Sequence, residues 1–282
     1  MEFQAIAQFA VNNRLGEGVQ WHADSNSVWW TDIHGCQLYR LHWPTQHISS
    51  WQTPERLSAF HLVSLSPLQL RVAFASGFAD YWPDLDRYHW LARPELNNPG
   101  NRFNDGRLDW QGRFWAGTMV EDASCSTTAG CLYRLDNDGC QPQLHDLQIP
   151  NALCWSRDSR FMYHADSPSQ QILRYDFDAA SGQASHPIPF ASIDNGVPDG
   201  AFVDSQDRLW VAIYEGAAVR CYSADGELVA NLELPLTLPT CVCVGGSDDD
   251  LLFITSAREG LSTAQIAEQP LAGALLVYRV AN

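Results

Sequence analysis

Short apolar and aromatic runs recur along the chain, each set behind a polar turn that often ends in arginine. They read "SNSVWWTDI", "QGRFWAGTM", "DSRFMYHAD", "QDRLWVAIY" and "DDLLFITSA", with a weaker copy in "LQLRVAFAS". The first apolar residues of the six copies are Val28, Leu70, Phe114, Phe161, Leu209 and Leu252, with successive spacings of 42, 44, 47, 48 and 43. A repeat of roughly 40–50 residues is the period of a four-stranded propeller blade. Six copies therefore predict an all-β chain, a six-bladed β-propeller occupying residues 1–282 as one domain.

Behind each run comes a second strand pattern, such as "CQLYRL", "GCLYRLD", "QILRYDFD" or "AAVRCYS". Turns rich in Asp, Asn and Gly follow: "DNDG", "AASGQ" and "ADGE". Helical periodicity is confined to a turn or two around "STAQIAEQ". The two ends, "FQAIAQFAV" and "ALLVYRV", both read as strands, and they are expected to share one blade and so close the ring.

The repeat sets a register for polar residues as well. Asn104, Asn151 and Asp199 each lie 10 residues before the start of an apolar run, and Glu17 lies 11 before. Their windows are "FNDGRL", "PNALCW", "PDGAFV" and "GEGVQW". In a propeller the innermost strand of each blade lines the central channel, so residues in equal register converge at one mouth of it. A lone Asn or Asp before Gly is usually a turn residue; four oxygen-bearing side chains in one register point instead to a functional ring. Glu17, Asn151 and Asp199 are hard oxygen donors, suited to Ca²⁺, Mg²⁺ or Mn²⁺ in the channel, and Zn²⁺ also accepts carboxylates. Three protein ligands leave positions open for water and substrate. Arg102, beside Asn104, adds a donor for a hydroxyl or a developing oxyanion.

Charge narrows the partners. With 33 acidic against 17 basic residues the formal net charge is −16, and no run of Lys or Arg appears. Nucleic-acid binding needs a basic surface, so that class is set aside. No apolar stretch approaches the roughly 18 residues of a membrane span, and none has the form of a signal peptide. The eight cysteines contain no C-x-x-C pair and read as reduced, mostly buried thiols of a cytoplasmic protein. Cys241 and Cys243 alternate in a strand as core thiols. "DNDG" at 136–139 and "SDDDL" at 247–251 read as hairpin turns. His34 reads as a turn residue or a substrate contact, and Asp166 as a turn residue or a support behind the ring.

At these residues the sequence resembles the regucalcin–gluconolactonase family, which includes senescence marker protein and luciferin-regenerating-enzyme-like proteins. The resemblance covers nearly the whole chain and rests on "LGEGVQW", "WWTDIHG", "RFNDGRLDWQGRFWAGTM", "IPNALCWSRD", "VPDGAFVD" and "GALLVYRV". It implies a six-bladed propeller with one divalent metal ion in the channel, held by Glu17, Asn151 and Asp199. It further implies that Arg102, Asn104 and Glu121 contact substrate hydroxyls, with Asp199 as general base. The implied reaction is metal-dependent hydrolysis of a sugar lactone to the aldonic acid. A metal-dependent phosphotriesterase or aryl-esterase and a non-catalytic metal-binding propeller remain open. Ala152 departs from the family by replacing the usual glycine after the ligand Asn, and Cys154 stands where an acid is common. "ADYWPDLDRYHWLARPELNN" reads as a lid-like segment, and the choice of lactone is not legible from it.

Overall fold

The computed structural model describes residues 1–281. Among them the strands form six four-stranded sheets, five of which are each built from four consecutive strands. The fold class is the six-bladed β-propeller. All six apolar runs found in the sequence are strands next to one edge of their sheets: Ser27–Asp32, Leu68–Phe74, Phe114–Val120, Phe161–Asp166, Leu209–Tyr214 and Leu251–Ser256. They read as unbroken apolar runs because most of their residues are buried on both faces. Ser27–Asp32 and Leu251–Ser256 are buried at every position.

The sixth sheet joins the two ends of the chain. Glu2–Phe9 runs antiparallel beside Leu275–Ala281, from the Glu2–Ala281 pair to Phe9–Leu275. The lone α-helix among the described residues, Thr263–Glu268, begins with a capping box on Ser262 and Gln265. None of the described helices is long and apolar enough to cross a membrane.

Two of the recurring turns have a common chemical cause. Asp109 accepts hydrogen bonds from the backbone N–H of Gln111 and Arg113, from Arg113 Nε at 2.6 Å and from Trp115 Nε1 at 2.9 Å. Asp204 repeats the pattern with Gln206, Arg208 and Trp210, at 2.7 Å to Arg208 Nε and 2.8 Å to Trp210 Nε1. A single carboxylate thus closes the turn, pairs the arginine and satisfies a buried indole, which explains the arginine and tryptophan in each run.

Chain contacts divide the protein into two compact units, Met1–Ser50 with the chain from Ile193 onward, and Trp51–Ser192. Each holds three sheets. In the first, Val19, Val28, Trp30, Leu41, Cys243 and Phe253 pack together, and Trp210, Val219, Val242, Leu252 and Ile254 form a second cluster. In the second, Trp115, Leu153, Trp155, Met162 and Phe177 form one core and Phe78, Phe103, Phe114 and Ala116 another. Full burial of each of the large apolar side chains is worth about 1.5–3 kcal/mol.

The lid-like reading of 79–98 needs correction. Gly77–Trp82 and Arg87–Ala92 are the third and fourth strands of a sheet, joined by a short turn at Pro83–Leu85. The outer strand is largely exposed, so its sequence lacks the apolar signature of a buried strand. Beyond that turn, Arg93–Gly100 is free of strand, and it borders a cavity described below.

Candidate functional site

In every sheet the strand just ahead of the apolar run in the chain is interrupted by a register shift. The shifts fall at Glu17/Gln20, Leu57/Ala59, Phe103/Asp105, Asn151/Cys154, Pro198/Ala201 and Pro239/Cys241. A bulge inserts unpaired residues, bends the strand and re-aims a side chain. Glu17, Asn104, Asn151 and Asp199 all sit at these bulges, as their common register in the sequence requires. The remaining two bulges carry Ser58 and Thr240, which sequence reasoning missed. Both lie 12 residues before their apolar run and neither is an acid or amide, so only an alignment of all six repeats reveals them. Asn-Asp-Gly at 104–106 therefore lies inside a strand, Asn101–Leu108, and not in a turn. Gly106 is required by close approach, because a Cβ there would meet the Trp115 carbonyl oxygen at 2.5 Å.

Within Trp51–Ser192 the candidate residues join in one hydrogen-bonded chain. Arg56 Nη1 and Arg102 Nε both donate to Glu121 Oε1, at 2.6 and 2.8 Å. Arg102 Nη1 donates to Asn104 Oδ1 at 3.0 Å, and Asn104 Nδ2 donates to Asn151 Oδ1 at 3.1 Å. Asn151 Nδ2 in turn donates to Ser167 Oγ at 2.9 Å. Arginine offers only donors, so Asn104 must turn its oxygen to Arg102 and its NH₂ to Asn151. That sequence of donors fixes Asn151 Oδ1 as an acceptor with a second lone pair. Arg102 and Asn151 are each 5% exposed. The structure thus brings Arg102, Asn104 and Glu121 together and adds Arg56, which stands outside every motif.

Burial alone would raise the Glu121 carboxyl, but hydrogen bonds from Arg56 and Arg102 and their positive charge outweigh it, holding Glu121 below its ordinary value. Asp105, beside Asn104, is the opposite case. Burial pushes its carboxyl up, and the charge of Arg107 with the N–H groups of Gly106 and Leu153 offsets that only in part.

Asp166 proves to be a support. Its carboxylate accepts from the backbone N–H of Gln148 and Ile149, the latter at 2.7 Å, and so fixes the chain as it enters Pro150–Asn151. Ala152, next to Asn151, is buried and holds φ at 54° in the left-handed region. Gly18, next to Glu17, takes the same conformation at 61°.

The other unit carries the two carboxylates. Glu17 and Asp199 are each 7% exposed. Tyr214 reports on both: burial raises its hydroxyl pKa, and Glu259, Asp199, Glu215 and Glu17 raise it further, in that order. Asp32 repeats the device of Asp166 by accepting from the N–H groups of Arg14 and Leu15, which lead into Gly16 and Glu17. Thr240 Oγ1 donates to the Gly16 carbonyl oxygen. His34 ends in a turn with its Nδ1 3.3 Å from Glu259 Oε1, beside a cavity of about 240 Å³ lined by Arg14 and Arg258.

Among the described residues no three His, Cys, Asp or Glu side chains gather as a ligand cluster. The expected donor set holds two carboxylates and an amide oxygen, each at a strand bulge. Buried carboxylates and an oriented amide oxygen have the chemistry of a hard-cation site, and the residues fit a divalent ion on that ground.

Residues 15–258 match the family described as SMP-30/Gluconolactonase/LRE-like region. The chain is 36% identical over 273 residues to 6-deoxy-6-sulfogluconolactonase of Pseudomonas putida, covering 94% of this chain and 91% of that one. It is 33% identical over 278 residues to L-arabinolactonase of Azospirillum brasilense, covering 97% and 91%. Among solved structures it resembles a calcium-binding protein, regucalcin, from Agrobacterium tumefaciens strain C58. That match has a TM-score of 0.89 and 28% identity, over 98% of this chain and 93% of the other.

Proposed function

The chain belongs to the SMP-30/Gluconolactonase/LRE-like family, and from that premise we propose that it is a lactonase that opens a sugar lactone to its aldonic acid with a divalent cation bound. The observation that carries the reading is the relay from Arg56 and Arg102 through Asn104 to Asn151, which pairs polyol-binding donors with an oriented oxygen ligand.

Glu17 and Asp199 would hold the cation, with Asn151 Oδ1 as the third ligand. Asn151 belongs to the other unit, and its part rests on the sequence register and on the orientation of its amide. When bound, such an ion polarises a carbonyl and acidifies water. Asp199 takes the proton from the water that adds to the lactone carbonyl, and the ring C–O bond then breaks to leave acid and alcohol. Arg102 and Asn104 hold substrate hydroxyls, and Glu121 accepts from them while keeping both arginines in place. Their contribution is positioning. Ca²⁺, Zn²⁺, Mg²⁺ and Mn²⁺ are the candidate ions. The eight thiols are all free, and a cytoplasmic location, where thiols stay reduced, is part of the proposal.

The test is acid release at constant pH across a panel of aldono-1,4- and 1,5-lactones, on chelated protein and after each ion is restored. Metal-restored hydrolysis of one lactone establishes the reaction and its substrate. No hydrolysis of any lactone, with metal bound, would reject it.

A further inference from the structure

Beside the Arg56–Glu121–Arg102 cluster lies a cavity of about 430 Å³, bordered by the Arg93–Gly100 loop. Three of the chain's 17 basic residues line it: Arg56, Arg93 and Arg102. In a chain of net charge −16 that concentration asks what the guanidinium groups face.

Glu55 also borders the cavity, but its two oxygens accept from the N–H and Oγ of Ser76. Glu95 turns Oε1 to Thr118 Oγ1 at 2.6 Å and to the Tyr133 hydroxyl at 3.0 Å, and its Oε2 is sealed from solvent. Asn98 and Asn101 are committed to the chain at 126–129. Asn98 bonds the Thr127 N–H and the Thr128 hydroxyl, and Asn101 bonds Ser126 Oγ and the Thr128 carbonyl. The acceptors are therefore occupied or shut away.

Two of the three arginines, Arg56 and Arg93, keep donors to offer, whereas Arg102 is engaged with Glu121, Asn104 and the Phe103 carbonyl. Arg56 reaches Glu121 through Nη1, and its other side-chain N–H groups meet no acceptor among the described residues. Arg93 lies over the Trp90 ring at 4.8 Å from its centroid and pairs with no described carboxylate. Stacking holds a guanidinium in plane while leaving its edge donors for an anion. Glu121, one carboxylate, is shared by two arginines.

We propose that this cavity is a subsite for an anionic group carried on the lactone at the end remote from its carbonyl, with Arg93 and Arg56 as the binding cations. The placement rests on the lactonase reading, because Arg102 and Glu121 of the same cluster are there assigned to the substrate hydroxyls. Local guanidinium donors are what such a substrate needs to approach an acidic protein. Exposed charges more than about 8 Å away are largely screened at physiological ionic strength, so the cluster and not the net charge decides binding. Phosphate, sulfonate and carboxylate share this chemistry, as oxyanions that take arginine in bidentate fashion.

Two measurements test the subsite. In the first, kcat/KM is compared for a neutral aldono-lactone and for lactones bearing a terminal phosphate, sulfonate or carboxylate. The wild type should favour one anionic form, and that ratio should fall about tenfold in Arg93→Ala, through KM, with partial recovery in Arg93→Lys. The second needs no turnover: calorimetric titration with inorganic sulfate, in which Arg93→Ala and Arg56→Ala should each weaken binding. Sulfate binding that depends on both arginines, without hydrolysis of any lactone, would show an oxyanion site there but overturn the lactonase reading and with it the assignment of that site to a lactone. Hydrolysis with an anionic-to-neutral ratio unmoved by Arg93→Ala would overturn the subsite alone.

Discussion

Asn104 donates its Nδ2 to Asn151 Oδ1 at 3.1 Å, while its own Oδ1 is held by Arg102 at 3.0 Å. One amide therefore transmits the donor character of an arginine to the oxygen of a second amide. The arrangement admits a single orientation of both side chains, because reversing either leaves two donors or two acceptors face to face.

Asn104→Asp tests that polarity with little change of shape. The carboxylate still accepts from Arg102 but now confronts Asn151 Oδ1 and the Pro150 carbonyl, to which Asn104 Nδ2 also donates. Loss of a satisfied, half-buried donor should cost about 1 kcal/mol in urea unfolding. Asn104→Ala, which removes the conflict, should keep more stability and mainly raise KM. Equal stability of Asn104→Asp and wild type would contradict the single orientation of the two amides.

Removing Asp199 should remove turnover. Asp199→Ala is expected to lower kcat by about a thousandfold, the scale of a lost general base. Glu17→Gln should weaken binding of the divalent ion measured by calorimetry. Wild-type turnover by Asp199→Ala would refute its role.

Glu121→Gln leaves Arg56 and Arg102 without their shared anion. Arg102 is buried, whereas the Glu121 side chain is 33% exposed and partly screened, so a loss of about 1–2 kcal/mol is expected. The pH dependence has a definite sign. The folded-state carboxyl sits below its ordinary value of 4.5, so its contribution is present above that value and fades as pH falls through the folded one. Urea midpoints from pH 6 downward should show the difference between wild type and variant shrinking in acid.

His164 is buried with its pKa pushed down to about 4 from 6.5 by burial, and its Nε2 has no partner among the described residues. Above the unfolded value the imidazole is neutral folded and unfolded alike, and as pH falls the unfolded chain takes the proton first, which draws the equilibrium away from the fold. Stability from this group should drop by about 3 kcal/mol between pH 6.5 and 4. The loss should be absent from His164→Leu, so the gap between the thermal midpoints of the two proteins should change in acid, with the wild type falling faster. Parallel curves would show that His164 titrates alike folded and unfolded.

Ala152 tests the backbone at the Asn151 bulge. A β-branched residue at a φ of 54° in a fully buried position is strained twice over, by conformation and by overpacking. Ala152→Val should cost about 2 kcal/mol or more in thermal or urea unfolding, whereas Ala152→Gly should be tolerated. Tolerance of valine would mean that the bulge relaxes freely.

The extent to which all this was legible follows burial. Val28, Leu209 and Leu252 lie in strands covered on both faces, and such strands must be written in apolar residues, so the period is plain in the sequence. Arg87–Ala92 has an open face and a polar sequence, and it reads as part of a lid. At the site, Asn104, Asn151, Asp199 and Glu17 betray themselves by common register and oxygen chemistry. Ser58 and Thr240 occupy the same bulges, but hydroxyls are ordinary in strands and their spacing differs. Arg56 reaches Glu121 across 65 residues of chain, a relationship that no local pattern encodes.

The sheet that pairs Glu2–Phe9 with Leu275–Ala281 also governs the order of events during synthesis. Its first strand leaves the ribosome long before its neighbour exists, and must wait unpaired while the other five sheets are translated. A waiting strand is an open edge, able to recruit a foreign strand. Glu2–Phe9 keeps one charge and two glutamines among its apolar residues, a composition that suits a segment whose proper partner arrives last.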